Sequence, residues 1–148
     1  FRKLSNKYRQ VDSWGNVLNN QDDRRPLGDW WTTEYHQFLS QYKFMICFEN
    51  KSQDYYLTEK LSNAYFGGTI PIYWGCPQAT ELLNGDSFLH IPGKYTSKSA
   101  ELLIEKVAKL DTDIEAYRRV YEQPLFRDQR MSDCFDPERV ADQIAALG

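Results

Sequence analysis

The sequence predicts an α/β fold, a parallel sheet with helices on both faces. Three stretches carry that prediction. Phe44-Met45-Ile46-Cys47-Phe48 is a short apolar run of the kind that forms a strand buried on both faces. Leu57, Leu61, Ala64 and Tyr65 then fall on one helical face across 57–66. A second apolar run, 69–73, follows Gly67-Gly68, which suit a left-handed helix stop. Strand, helix and strand within Tyr42 to Gly75 make a βαβ unit with a right-handed crossover.

The remaining elements continue the alternation. Residues 1–8 read as the end of a helix, and Val11-Asp12 as a short strand closing at Gly15. The stretch 16–31 is polar and rich in turn residues, which predicts a surface excursion. Within it, Arg24-Arg25 read as a solvated pair in preference to a phosphate contact. Trp30-Trp31 read as cover for the sheet edge, with an acceptor-facing platform as the alternative. Thr33 is placed as the N-cap of a helix over 34–41 that leads into the first strand. After Gly75, Cys76-Pro77 open a helix running to Leu83. Asn84-Gly85 turn the chain into a strand over 87–91. Ser97 or Ser99 caps a helix over 100–110, whose buried face is expected from Leu102, Leu103, Val107 and Leu110. A helix over 111–121 ends before Pro124, and a charged connection covers 126–134. Asp136 caps the last helix, with Pro137 at its first position and Val140, Ile144 and Leu147 as its apolar stripe. Strands alternating with helices in this way imply the layered α/β architecture.

Bulk properties narrow the function. The 148 residues suit one domain with a real core. A net charge of −3 argues against a nucleic-acid binder, without forbidding a local basic pocket. No apolar run approaches the roughly 20 residues of a membrane helix. Phe1 is not a natural start, so the chain reads as a fragment or processed product, and no secretory signal is visible. Cys47, Cys76 and Cys134 show neither metal-ligand spacing nor an even disulfide framework, which fits reduced thiols in a cytosolic setting. His36 and His90 lack an acidic partner in sequence and read as packing or surface residues.

In βαβ units ligands bind at the carboxyl ends of the strands, beside the N-terminus of the next helix. Glu49, Asn50, Lys51, Ser52, Tyr55, Tyr56, Thr58, Glu59 and Lys60 fall there. Lys60 offers a point charge to a phosphate, Glu59 can accept two sugar hydroxyls, Asn50 donates and accepts, and a Tyr ring can cover a base or sugar face. Glu59 and Lys60 are adjacent and so are not each other's partners on a helix.

The ordered run FEN, then Tyr56-x-Thr58-Glu59-Lys60-Leu61, then Ala64-Tyr65-Phe66-x-Gly68-Thr69-Ile70-Pro71-Ile72-Tyr73-Trp74-Gly75, resembles the donor-binding signature of α-1,3/4-fucosyltransferases. These are glycosyltransferase family 10, and the likeness is greatest to its bacterial members. Val11-Asp12-Ser13-x-Gly15 with Leu18-Asn19-Asn20 upstream, and Tyr121-Glu122-x-Pro124-Leu125 downstream, agree with it. The resemblance implies a Rossmann-like domain, the C-terminal, nucleotide-sugar-binding half of a two-domain GT-B enzyme that uses GDP-fucose. It implies inverting transfer of L-fucose to a GlcNAc-type hydroxyl of a glycan acceptor, with no cofactor or metal. Asn50, Tyr56, Glu59 and Lys60 match donor-contact positions: Glu59 for ribose hydroxyls, Lys60 for phosphates, Asn50 and Tyr56 for the phosphate and sugar region. Glu49 is expected to be structural, orienting the turn, and Thr58 to cap the helix or touch the sugar. The catalytic base belongs, in that family, to the N-terminal half, and an arginine on the diphosphate lies upstream of the helix that Phe1 truncates, a place that Arg2 does not match. A bacterial parent would be cytoplasmic and membrane-peripheral; a eukaryotic one would lie in the Golgi lumen. Another nucleotide sugar, or a non-catalytic binding module, are the competing readings.

Overall fold

A computed structural model describes residues 1–15, 18–21, 29–127 and 137–146. Its centre is a parallel sheet in the order β1-β2-β3, with β1 at Phe44–Phe48, β2 at Ile70–Trp74 and β3 at Leu89–His90. Phe44 pairs with Ile70, Ile46 with Ile72 and Phe48 with Trp74. Tyr73 pairs with His90 across the β2–β3 ladder. Because strand side chains alternate, Cys47 and Tyr73 project to one side of the sheet and Ile46 and Ile72 to the other.

The first side holds the core. Cys47 and Tyr73 cluster with Leu61 and Ala64 of α3 (Glu59–Phe66), and with Ala79, Leu83, Phe88 and Leu125. Leu61 is wholly buried there, so truncating it to Ala would cost about 2–5 kcal/mol. On the second side, Ile46 and Ile72 share a cavity of about 760 Å³ with Leu4 of α1 (Arg2–Lys7) and Val107 of α5 (Ser97–Thr112). Helices thus cover both faces, as the sequence predicts.

Several boundaries differ from the sequence expectation, each for a local reason. In β1 only Cys47 is buried, because among the described residues this strand is an edge. β2, flanked on both sides, is buried from Ile70 to Tyr73. Val11-Asp12 form no strand. Asn20 satisfies the backbone there instead, accepting from the Ser13 amide and donating to the Val11 carbonyl, both at 2.8 Å. α2 (Thr33–Leu39) is capped by Thr32, whose hydroxyl accepts from the Tyr35 amide, and not by Thr33. Trp30 and Trp31 pack edge-on against each other at 4.9 Å and stay exposed, so they do not cover the sheet edge.

α3 starts at Glu59, two residues later than Leu57. Of the two glycines at its end, only Gly68 is left-handed, at φ 73°. Gly67 serves close packing: a Cβ there would lie 2.7 Å from Leu39. α4 shrinks to Ala79–Leu82, because the Tyr73 hydroxyl takes the Cys76 amide and the Gln78 side chain is drawn to the loop before α3. β3 is only two residues long, since Gly85–Ser87 form a 3-10 turn after Asn84. α5 is capped by Thr96 in a reciprocal pair with Ser99, and neither Ser97 nor Ser99 is the cap. Its buried residues are Ala100, Ile104, Val107 and Leu110; Leu102 is 51% exposed and Leu103 only half-buried. Position 102 stands two residues from Ala100, across the helix. α6 (Ile114–Tyr121) begins after Asp113, which caps the Ala116 amide, because Asp111 is engaged elsewhere. α7 spans Pro137–Ala145. Arg24, Arg25, Cys134, the Asp136 cap and Leu147 lie outside the described residues, as do the side chains of Val140 and Ile144.

Candidate functional site

The carboxyl ends of β1 and β2 meet at Glu49. Its amide donates to the Trp74 carbonyl at 2.9 Å, extending the parallel ladder one residue past β1. The side chain turns inward and its carboxylate is fully buried. Such a group is costly unless its lone pairs are filled, and here they are. Oε1 accepts from the Thr58 amide at 2.9 Å, the Thr58 hydroxyl at 3.0 Å and the Tyr73 hydroxyl at 3.3 Å. Oε2 accepts from the Thr58 hydroxyl at 2.8 Å and from Lys60 Nζ at 3.0 Å. Burial by itself pushes the Glu49 carboxyl up. The Thr58 amide, the Lys60 ammonium and the Thr58 hydroxyl outweigh it and hold the group below the usual carboxylate range.

Neighbouring backbone makes room for this carboxylate. Gly75 has φ 151°, and a Cβ at that position would collide with Glu49 Cγ. Tyr73 is fully buried, donates to Glu49 and accepts from the Cys76 amide at 3.1 Å, and burial raises its pKa.

Thr58 stands at the N-cap position of α3, yet its side chain makes no capping bond. Its hydroxyl goes to Glu49, so among the described residues the first-turn amides of α3 carry no side-chain cap. Lys60 follows in that first turn, partly exposed, with its ammonium on Glu49 and not on Glu59. Glu59 and Asn50 are exposed, and among the described residues neither side chain has a hydrogen-bond partner. Tyr56 is half-buried, with the Lys51 ammonium 5.6 Å from its ring centre. Between them Tyr55 adopts φ 57° and is 70% exposed. Its amide is held by Gln78 Oε1 at 3.1 Å, while Gln78 Nε2 donates to Asp54. The fold therefore joins Glu49, Thr58 and Lys60 in one hydrogen-bonded cluster. Asn50, Tyr56 and Glu59 flank it on the same loop and helix start without joining it.

Sequence reasoning overlooks Tyr73 and Gln78. Tyr73 lies inside an apolar strand and reads as packing; the available signal was an acidic residue directly after the neighbouring strand. It also overlooks the aromatic group at the strand ends, where Phe48 lies 6.0 Å from both Trp74 and Tyr95. His90 packs on Tyr73 and Phe88, and burial lowers its pKa. The His36 Nε2 atom is buried, with no hydrogen-bond partner among the described residues. Among the described residues no group of three or more His, Cys, Asp or Glu could hold a metal ion, and no helix is long and apolar enough to cross a membrane. The 760 Å³ cavity is lined by none of Asn50, Tyr56, Glu59 or Lys60. It is a largely apolar trough whose charged border sets Arg9 and Lys43 against Asp12 and Asp111, and both cations are already paired with Asp111.

A crevice built from a β-α turn, an uncapped helix start and a lysine can be compared with known proteins. Residues 1–130 match the family model described as glycosyltransferase family 10 (fucosyltransferase), C-terminal. The chain belongs to this family. An α-(1,3)-fucosyltransferase of Helicobacter pylori is 43% identical over 91 residues, 61% of this chain and 18% of that protein. A GDP-fucose protein O-fucosyltransferase 3 of Danio rerio is 41% identical over 102 residues, 64% of this chain and 22% of that protein. Crystal structures of an α1,3-fucosyltransferase with GDP and with GDP-fucose superpose with TM-scores of 0.69 and 0.67. Both are 32% identical, and the match covers 83% of this chain and 33% of theirs. The Rossmann-like fold is thus that of GT-B fucosyltransferases. The chain spans about a third or less of the length of these relatives.

Proposed function

We propose that this chain is the nucleotide-sugar-binding domain of a fucosyltransferase and that it holds GDP-fucose at the carboxyl ends of β1 and β2. The observation that carries the reading is the start of α3, where Lys60 stands in the first turn beside amides that no side chain caps among the described residues. Helix-start amides and a lysine are the two elements that recognise a diphosphate without demanding a particular sequence. The neighbouring structures with GDP and GDP-fucose support it.

In this reading Lys60 and the α3 amides take the diphosphate, the exposed Glu59 carboxylate accepts ribose hydroxyls, and Asn50 and Tyr56 contact the phosphate and sugar region. Fucosyl transfer with inversion separates charge: the sugar becomes oxocarbenium-like while negative charge gathers on the departing phosphate. Cations and oriented amides placed at that phosphate stabilise the transition state more than the ground state. The parent enzyme would deliver fucose to a GlcNAc-type hydroxyl of a glycan, with the base that removes the hydroxyl proton coming from a separate N-terminal half. The donor is the one small-molecule partner this domain requires. Among the described residues Cys47 and Cys76 are buried free thiols, which supports a cytoplasmic setting for the parent.

Calorimetric titration with GDP, with UDP as control, tests the reading. Saturable GDP binding is expected, with UDP weaker. Lys60→Ala should weaken GDP by roughly ten- to a hundredfold, the loss of a charge-assisted hydrogen bond. Equal affinity for GDP and UDP would point to another donor, and no binding of either would remove the donor-site assignment.

A further inference from the structure

The donor-site reading leaves one group unused: the buried carboxylate behind Lys60. We infer that Glu49 is the positioning residue for Lys60, holding its ammonium at the mouth of the crevice so that its remaining protons meet a diphosphate. The inference rests on the donor-site reading above. Lys60 Nζ has three protons, and Glu49 Oε2 at 3.0 Å takes one, leaving two for a ligand. A lysine side chain free in water samples many rotamers, and binding a phosphate would have to freeze them. An anchor on the protein side removes most of that loss in advance. The anchor is itself immobile: the Thr58 amide and hydroxyl and the Tyr73 hydroxyl fix both carboxylate oxygens. Three segments meet at this one carboxylate, namely the end of β1, the start of α3 and the end of β2. Glu49 also neutralises itself against Lys60, so an incoming diphosphate does not face an uncompensated anion.

A pure brace for the α3 start would need the Thr58 contacts alone. The Lys60 contact distinguishes positioning from bracing, and a double-mutant cycle on this chain reads it directly. GDP and guanosine are titrated into the unsubstituted chain, Glu49→Gln, Lys60→Ala and the double variant. Glu49→Gln is expected to weaken GDP by about tenfold, leave guanosine unchanged, and add nothing once Lys60 is gone. GDP binding that is unchanged or tighter in Glu49→Gln overturns the inference, as does an equal loss with and without Lys60, which is the signature of a brace. If Glu49→Gln does not give the native circular dichroism spectrum, Thr58→Val takes its place, removing the hydroxyl that bridges both carboxylate oxygens. The same loss, confined to GDP and dependent on Lys60, is then expected in smaller measure; no loss overturns the inference. Failure of the donor-site reading is visible earlier and separately, as no GDP binding by the unsubstituted chain.

Discussion

Gly75, just after β2, and Tyr55, in the loop before α3, both have positive φ, with opposite consequences. At Gly75 a positive φ is combined with close contact: φ is 151° and any Cβ would strike the Glu49 side chain. Gly75→Ala therefore adds strain and displaces a buried charge from its partners. Urea denaturation should show a loss of about 2–4 kcal/mol. An unchanged midpoint would mean that Glu49 does not occupy the space behind Gly75. Tyr55 has the reverse problem, a bulky side chain at φ 57° that gains little from burial because it is 70% exposed. Left-handed backbone disfavours such a residue by about 1 kcal/mol or more, which glycine would recover against its larger unfolded-state entropy. Tyr55→Gly should leave the thermal midpoint level or slightly raised, although a large aromatic is deleted; a clear fall would show that the ring makes contacts worth more than the strain.

Helix starts are where the elements separate into structural and functional. α5 is closed by Thr96 and Ser99, each bonding the other's amide, and Thr96→Ala should lower stability by about 1 kcal/mol in urea denaturation. α3 carries no such closure, its Thr58 having been given to Glu49. The strand–helix–strand core was legible in the sequence because β1 and β2 are apolar runs and because Leu61 and Ala64 keep helical spacing. The ends were not, because each end is decided by a side chain outside the element. Asn20 replaces a strand, Gln78 shortens α4, and Asp113 caps α6 after Asp111 has been drawn away. Leu102 shows the other limit: a leucine in a helix is read as buried unless the phase of the whole stripe is known, and Ala100 and Ile104 set that phase. At the site, Lys60 and Glu59 could be picked out by their place after a strand. That Lys60 pairs with Glu49 depends on how β1 and α3 pack, and that Tyr73 completes the cluster depends on the register of β2. Neither quantity is written in local spacing.

Across the whole molecule, two carboxylates hold β1 at its two ends. Glu49 gathers Thr58, Lys60 and Tyr73 after its last residue. Asp111, at the end of α5, gathers Lys43 at 2.9 Å, just before the first residue of β1, together with Tyr8 at 2.6 Å and Arg9 at 3.1 Å. The Lys43 ammonium and the Tyr8 hydroxyl hold the Asp111 carboxyl below its ordinary range, and Lys60 and Thr58 do the same for Glu49 against the effect of burial. Both groups therefore have folded pKa values below their unfolded ones. In the acid range the unfolded chain binds more protons, so stability rises with pH there. The contribution is complete above the unfolded values, near pH 4, and disappears as pH falls through the lower folded values. The thermal midpoint of the unsubstituted chain should be level with respect to these two groups above about pH 5 and fall steadily below about pH 4. Asp111→Asn should start lower at neutral pH, having lost the ion pairs to Lys43 and Arg9, and should fall less steeply in acid because one of the two linked protons is gone. Midpoints measured from neutral to acid pH for both proteins decide the matter. Parallel curves would mean that Asp111 is equally protonated in the folded and unfolded chains and that its ion pairs do not tie α1 and α5 to the start of the sheet.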